Sequence, residues 1–275
     1  MKRAKVIIVL ALAFTLLSAC AHMTETQVNV SASPVIDRIL QRGELAVGTA
    51  ASMPPLNMTT REGKIIGLEP DLSKYIADSM GVKLTLVPMP FSELLPALEA
   101  GKVDMILSGM TMLARRNLKV AFVGPYFISG KSFLTKARTL MSVKDPSEVN
   151  SPTTTLVALK GSTGQMFVQE LIPKAKLVTT KDYDEAVNMV VQGKVHALVA
   201  DYPICILSVF RYPDKELFAL LPPLTYEPIG IAMPANDPLL VNLVENLLNT
   251  LEGGGKLDEL RERWFENGSW LEKLP

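Results

Sequence analysis

Short apolar runs alternate with helix-like periodicity along most of the chain. Glu44–Thr49 predicts a buried strand, and the apolar residues of 70–80 recur at helical spacing. The alternation continues through a strand at 83–87, a helix at 91–100 and a strand at 103–107. Strands that alternate with helices are typical of βαβ units around a mostly parallel sheet. The pattern therefore predicts an α/β fold.

The same alternation restarts in the second half of the chain. The elements predicted there are strands at 155–159, 176–180 and 195–200 and helices at 165–171 and 183–192. Residues 224–233 predict a strand that returns from the second half to the first, and an apolar stripe over 239–251 predicts a long helix near the C-terminus. Two crossings between two lobes would form a hinge, and clefts between lobes are common sites for small ligands.

This organisation predicts the boundaries of the two lobes and of the hinge segments that join them. Lobe 1 is predicted at residues 36–131 plus 230–275, and lobe 2 at residues 135–225. The hinge segments are predicted at 131–135 and 225–230.

The N-terminus has the layout of an export signal. Residues 1–5 are basic, residues 6–17 are almost wholly apolar, and the run ends in Leu-Ser-Ala-Cys at Cys20. We expect a lipoprotein signal peptide at 1–20 with Cys20 lipidated, an ordinary signal peptide with an incidental cysteine being the alternative. Residues 21–35 are polar and predict a flexible tether. The protein is therefore expected in the periplasm or at the cell surface, anchored through Cys20.

Composition excludes several function classes. Among 275 residues, 28 basic side chains balance 28 acidic ones, so nothing indicates binding to nucleic acid. The chain has 2 histidines and 2 cysteines, without zinc-type spacing, and neither a metal site nor a cofactor is predicted. Cys205 lies in an apolar run and is expected to be a buried small hydrophobe.

Three turns between strands and helices carry candidate ligand groups. One contains Gly109 and Thr111 and is followed by Arg116, and a second is Gly-Ser-Thr-Gly at 161–164. The third is Asp201 at the end of a strand. An arginine and helix N-termini suit a carboxylate, and an aspartate suits an ammonium group. Together they complement the two charged groups of a free amino acid.

The chain resembles the family 3 extracellular solute-binding proteins, the polar amino-acid receptors of ABC importers. The resemblance covers about residues 36–270 and rests on motifs in this order: VGT, PPL, GKIIGLEPDL, LLPALEAGKVDMILSGMT, RR…VAF, GPYF, GSTG, GKVHALVADYP, EPIGIAMP and a final WF. It implies a type II periplasmic-binding-protein fold, with two α/β lobes on a two-strand hinge around a ligand cleft. It also implies a monomer that delivers an amino acid to an ABC permease in the membrane.

The resemblance carries over a carboxylate site. Arg116 matches the arginine that binds the ligand α-carboxylate. Thr111 and the Gly109 carbonyl match groups that meet the carboxylate and the ammonium. Thr163, with Ser162, matches the turn of the second lobe that completes the site. Arg115 falls at a variable position.

The remaining matches concern the ammonium and the specificity pocket. Asp201 matches the acid that pairs with the α-ammonium, and Phe91 matches an aromatic wall. The chain departs from the family at Ala50, where many members carry an acid, and at Met53, where an aromatic usually faces the ligand. Leu113 replaces the usual helix-capping threonine, a role that Thr111 is expected to share. The changed pocket favours an uncharged amino acid.

Other interpretations of these residues stay open. The two arginines are also consistent with a solvated helix face, and Asp201 with a helix cap.

At the level of function, the alternatives are a cyclohexadienyl or arogenate dehydratase on the same scaffold and a ligand-sensing domain for a signalling partner. A dehydratase needs a general acid, and the residues after Asp201, Tyr-Pro-Ile-Cys, offer no second carboxylate. We therefore expect binding without catalysis.

Overall fold

The structure is a computed structural model that describes residues 32–137, residue 140 and residues 143–274. The predicted signal peptide, the lipidation of Cys20 and the tether as far as residue 31 lie outside these residues. Across the described part of the chain, no helix is both long enough and apolar enough to span a bilayer.

Helices and strands alternate as the sequence predicts. The α-helices are α1 (Pro34–Arg42), α2 (Leu68–Ser79), α3 (Phe91–Glu99), α4 (Ala114–Asn117), α5 (Thr163–Leu171), α6 (Tyr183–Val191), α7 (Tyr202–Arg211), α8 (Pro238–Gly253) and α9 (Lys256–Arg261). The strands are β1 (Glu44–Thr49), β2 (Ser52–Met53), β3 (Asn57–Thr59), β4 (Ile65–Ile66), β5 (Lys83–Pro88), β6 (Met105–Ile106), β7 (Val120–Ser129), β8 (Lys131–Thr135), β9 (Thr155–Leu159), β10 (Lys176–Thr180), β11 (Ala197–Asp201), β12 (Phe218–Ala219) and β13 (Glu227–Pro234). Shorter turns are 3-10 helices at Pro146–Val149, Pro213–Lys215 and Gly268–Lys273 and a π-helical turn at Glu262–Glu266.

The strands form two five-stranded sheets, one in each lobe. The first has the order β5-β1-β6-β13-β7 and the second β10-β9-β11-β8-β12. The prediction of mostly parallel sheets is confirmed, because four of the five strands in each sheet run in the same direction. The exceptions are β13 in the first sheet and β8 in the second, which run antiparallel to their neighbours. Both begin where the chain crosses between the lobes, so they enter their sheets from the opposite end. A small third sheet, β2-β3-β4, was not predicted.

The chain crosses between the sheets at two places that touch each other. β7 ends at Ser129 and β8 starts at Lys131, so the predicted hinge segment 131–135 is instead a strand of the second sheet. A side chain at Gly130, between them, would place its Cβ 2.2 Å from the Thr225 carbonyl oxygen of the other crossing. The backbone N–H of Lys131 also donates to the Thr225 hydroxyl at 2.8 Å. The two crossings are thus held side by side.

The predicted tether is too long by two residues. Helix α1 starts at Pro34 rather than after residue 35, since proline suits a first helical turn. One oxygen of the Asp237 carboxylate accepts the N–H of Val35 at 2.8 Å, and the other accepts the N–H of Leu240 at 2.9 Å. Asp237 therefore satisfies the first turns of both α1 and α8.

Apolar residues from the periodic stretches make up the core. In α8, four residues of the predicted stripe are buried, namely Leu240, Val244, Leu248 and Leu251, whereas Leu239 at its start is exposed. Cys205 is also buried, as expected, and burial raises the pKa of its thiol to about 12. A thiol in that state is a core residue and not a nucleophile at neutral pH.

Candidate functional site

Two strand pairs meet at the hinge and bring charged residues together. Lys131 and Asp201 are opposite each other in the antiparallel pair of β8 and β11. Ser129 and Glu227 are opposite each other in the antiparallel pair of β7 and β13. Directly opposite residues in a sheet have neighbouring side chains, so the register itself builds a polar cluster between the lobes.

Lys131 is the centre of this cluster. Its side chain is 0% exposed, and its ammonium nitrogen lies 2.9 Å from Asp201 Oδ2 and 3.3 Å from Glu227 Oε2. The second oxygen of Asp201 accepts the Ser129 hydroxyl at 2.9 Å. Asp201 therefore already has a cationic partner within the chain. The sequence analysis missed this partner.

Glu227 joins the cluster to Thr111 and Thr163. The Thr111 hydroxyl donates to Glu227 Oε2 at 2.7 Å and lies 3.5 Å from the Thr163 hydroxyl of the other lobe. Burial alone would raise the pKa of Glu227, but the Lys131 ammonium and the threonine hydroxyls outweigh it and lower the pKa. Glu227 is thus a carboxylate at neutral pH and a poor proton donor.

Arg116 bridges the lobes next to this cluster. Its side chain is buried in α4, where Nη1 donates to the Thr111 carbonyl at 2.8 Å and Nη2 to the Gly161 carbonyl at 3.3 Å. Burial lowers the pKa of Arg116 to about 10, against the opposing effect of Glu227. The guanidinium therefore stays charged at neutral pH. Its central carbon lies 5.9 Å from the centre of the Phe91 ring, within the range of a cation–π contact.

Arg115 points away from the cluster. Its side chain is 52% exposed and forms an ion pair with Glu170 at 3.6 Å, and it also contacts the Met166 sulfur. Both partners belong to α5, so Arg115 makes a contact between the lobes at the edge of the cleft. It is more than a solvated charge, although an exposed pair of this kind contributes at most about 1 kcal/mol.

A cavity opens beside Arg116. Its volume is about 370 Å³, and its lining includes Phe91, Arg115, Arg116, Gly161 and Met166. Small-molecule pockets in proteins start at about 300 Å³. A guanidinium and an aromatic ring therefore share the wall of a cavity that is large enough for a small solute.

Gly109 and Met53 are buried against each other and do not line the cavity beside Arg116. Gly109 has φ +59°, and a Cβ there would lie 2.1 Å from the sulfur of Met53. Met53 is itself buried in the core of the first lobe. The structure thus places Met53 against the Gly109 turn, so a larger residue at 109 would have to displace the Met53 side chain and adopt a positive φ.

Glu69 fixes the Gly109 turn, and its role was not predicted. Its fully buried carboxylate accepts the Gly109 N–H at 2.6 Å, the Asn57 side-chain amide at 2.5 Å and the Tyr126 hydroxyl. Burial raises the pKa of Glu69 above its usual value, although these hydrogen bonds oppose the shift. Glu69 stands in the motif GLEPDL, but only the fold shows that its side chain points inward.

Ser162 and Thr163 start helix α5. The Ser162 hydroxyl accepts the N–H of Gln165 at 3.2 Å and donates to the Leu159 carbonyl at 2.7 Å, which makes it a helix cap. Thr163 faces Thr111 across the cleft. Of this predicted pair, Thr163 is the residue that reaches the polar cluster.

Neither Asp201 nor Thr111 caps a helix with its side chain, although the sequence allowed both roles. Asp201 precedes α7, yet its side chain makes no capping bond, because both of its oxygens are engaged in the cluster. Leu113 leaves α4 without a side-chain cap, as the sequence implies. Thr111 does not take over that role, since its hydroxyl donates to Glu227.

Five of the predicted ligand residues lie at the polar cluster or the cavity, whereas Gly109, Met53 and Ser162 are engaged elsewhere. Four of them lie at or next to the polar cluster: Thr111, Arg116, Thr163 and Asp201. Phe91 lines the adjacent cavity. The cluster residues missed by the sequence analysis are Lys131, Glu227 and Ser129. A lysine at the start of a strand is usually exposed, and only the register with Asp201 reveals its burial.

No group of three or more histidine, cysteine, aspartate or glutamate side chains suited to a metal occurs among the described residues. The charged cluster is balanced by its own lysine and arginine. The contacts within it are ion pairs and hydrogen bonds.

Residues 45–267 match the sequence profile of the bacterial extracellular solute-binding proteins, family 3. The match includes the hinge, Arg116 and the whole cluster. The chain belongs to this family. Solved structures of similar proteins also confirm the type II periplasmic-binding-protein fold for this solute-binding protein.

The relatives of this solute-binding protein include both receptors and an enzyme. It is 26% identical to the cyclohexadienyl dehydratase of Pseudomonas aeruginosa, over 84% of this chain and 86% of the relative. It is 28% identical to the L-arginine-binding protein of the same species, over 80% of this chain and 86% of the relative.

Two similar solved structures are those of binding proteins. One is an ancestral amino-acid-binding protein that is a precursor of cyclohexadienyl dehydratase, with a TM-score of 0.77, 34% identity and coverage of 84% of this chain and 99% of the other. Another is the binding component of an ABC transporter from Wolinella succinogenes in complex with lysine, with a TM-score of 0.79, 38% identity and coverage of 84% and 100%.

Proposed function

We propose that this protein is the substrate-binding component of an ABC importer and that it binds a free amino acid, an uncharged one by preference. The observation that carries the proposal is the position of Arg116, a buried guanidinium at the wall of a cavity between the lobes. A guanidinium is the side chain best suited to hold a carboxylate through two parallel hydrogen bonds. The receptors among its relatives support an amino acid as the ligand.

The ligand would be held by groups from both lobes. Arg116 and Thr111 from the first lobe and the Thr163 turn from the second would surround its carboxylate. Asp201 would accept its ammonium group, since a carboxylate offers about four acceptor positions and only some are used by Ser129 and Lys131. Closure of the lobes would then expel water and present both lobes to a permease. Lipidation of Cys20 would keep the protein near that permease.

A thermal-shift screen of the mature protein tests this function. An amino acid present at about 100 times its dissociation constant should stabilise the folded state by about 2.7 kcal/mol. The 2-oxo acid of the same side chain lacks the ammonium group and should bind at least about tenfold more weakly, because Asp201 then loses a charged donor. The screen contradicts the proposal if no amino acid stabilises the protein, or if the oxo acid binds as tightly.

Dehydratase activity is the second function that a relative suggests, because cyclohexadienyl dehydratase is among the similar proteins. Loss of a hydroxyl from prephenate or arogenate needs a proton donor. Glu227 is held as a carboxylate, and Ile204, in the turn of helix that follows Asp201, is a buried apolar residue. We expect no product above the uncatalysed rate when the protein is incubated with either compound. Product formation that is lost in Asp201→Asn would establish an enzyme instead.

A further inference from the structure

The buried ammonium group of Lys131 is unusual for its position. Lysine is rarely buried without a partner of opposite charge, because removing an ammonium group from water is costly. Here it is 0% exposed at the junction of both chain crossings and pairs with two carboxylates. The proposed recognition of an amino acid uses Arg116 and Asp201 and gives Lys131 no part. We therefore consider how Lys131 changes the net charge of the polar cluster.

The charges of the cluster add to zero. Arg116 and Lys131 are positive, and Asp201 and Glu227 are negative. The other groups in contact with them are neutral hydroxyls, those of Ser129, Thr111, Thr163, Thr225 and Tyr183. The cavity beside Arg116 is also lined by Arg115, Lys119 and Glu99. These charges do not change the balance, because Arg115 is paired with Glu170 and Lys119 with Glu99.

Without Lys131 the same site would carry one net negative charge. Such a site favours a ligand with an extra positive charge, because an unmatched charge inside a closed cleft is poorly screened. With Lys131 present, a net-neutral zwitterion leaves every charge paired. Its carboxylate meets Arg116, and its ammonium shares the carboxylates of Asp201 and Glu227 with Lys131.

We propose that Lys131 is the residue that restricts this site to net-neutral amino acids, by supplying inside the protein the positive charge that a basic ligand would otherwise bring. The inference rests on the proposed function and adds the ligand's charge class to it. It predicts a ligand of lower charge than the arginine and lysine in the names of one relative and one similar structure.

Variants that change the charge of the site in both directions test the proposal. Lys131→Met gives a site charge of −1, Glu227→Gln gives +1, and the double variant returns it to 0. Lys136→Met, an exposed lysine at the end of β8, is the matched control. Binding is measured by calorimetry with near-isosteric amino acids, namely citrulline and arginine, norleucine and lysine, and glutamine and glutamate.

The wild type, the control and the double variant should prefer the neutral member of each pair. Lys131→Met should shift the preference towards arginine or lysine by at least about tenfold, and Glu227→Gln should shift it towards glutamate by a similar factor. If Lys131→Met does not fold, as judged by circular dichroism, Glu227→Gln and the double variant decide the matter.

Preferences that do not follow the site charge overturn the role of Lys131 and leave the proposed function intact. A wild-type protein that binds arginine or lysine more tightly than the neutral partner overturns both the role of Lys131 and the preference for an uncharged ligand, but not the binding of an amino acid. If the wild type binds no amino acid at all, both proposals fail. The two failures are therefore distinguishable.

Discussion

Replacing Arg116 by alanine should abolish the stabilisation that an amino acid gives to the protein. Each hydrogen bond from a charged donor is worth about 1.5–3 kcal/mol, so losing two of them should weaken binding by at least about 100-fold. At a ligand concentration that stabilises the wild type by about 2.7 kcal/mol, the variant should gain less than about 0.5 kcal/mol. The measurement is the difference in unfolding free energy with and without ligand.

That difference separates binding from folding. Arg116 also donates to the carbonyls of Thr111 and Gly161, so the variant without ligand should be less stable than the wild type. Arg116→Lys keeps the charge but not the two parallel donors and should bind with intermediate affinity. A full ligand response in Arg116→Ala would remove this residue from the site.

Arg115→Ala is the matched control for this experiment. Arg115 is the neighbouring residue, carries the same charge and also contacts the second lobe, through Glu170. Because the pair is exposed, its loss should change affinity by less than about fivefold. Equal losses in the two variants would mean that general charge, and not the position of Arg116, attracts the ligand.

Replacing Glu69 by alanine should cause a large loss of stability. Three donors would lose their acceptor in the buried interior: the Gly109 N–H, the Asn57 amide and the Tyr126 hydroxyl. An unsatisfied buried polar group costs about 1–3 kcal/mol, so we expect a loss of about 3–5 kcal/mol in the free energy of unfolding. Chemical denaturation measures it.

The control for Glu69 is Tyr126→Phe, which removes one of the three donors together with its need for an acceptor. It should cost about 1 kcal/mol. A loss of similar size in both variants would contradict the central role of Glu69.

The pH dependence of stability gives a second readout. The pKa of Glu69 is raised in the folded state, so its contribution is fully present below the unfolded pKa of about 4.5 and declines as the pH rises through the folded value. Glu69→Gln should remove this decline. An identical pH profile in the variant and the wild type would mean that Glu69 does not titrate abnormally.

The sequence was sufficient for the alternation of the elements and for the turns that carry ligand groups. The spacing of apolar residues follows from the local backbone geometry, because a helix or a strand has the same side-chain period in any tertiary structure. Thr111, Arg116, Thr163 and Asp201 could be selected because each lies at or near a connection between a strand and a helix. The family resemblance added their expected roles.

Other features depend on residues that are far apart in the chain. Strand direction in the mixed sheets follows from where the chain crosses between the lobes, which the apolar pattern does not encode. The apolar pattern also does not encode the burial of Glu69, whose partners Gly109 and Tyr126 are 40 and 57 residues away. Burial of a carboxylate needs such partners, so the sequence alone gave no reason to place it inside.

The sequence by itself determined the family, the two α/β lobes and the turns that carry Arg116 and Asp201. Only the tertiary structure decided the charge of the site. Lys131 becomes a fully buried cation because antiparallel pairing of β8 with β11 sets it opposite Asp201, while the second crossing brings Glu227 to its other side. Electrostatic energy depends on distance in space and on exclusion of water, and neither is written in the order of residues along the chain.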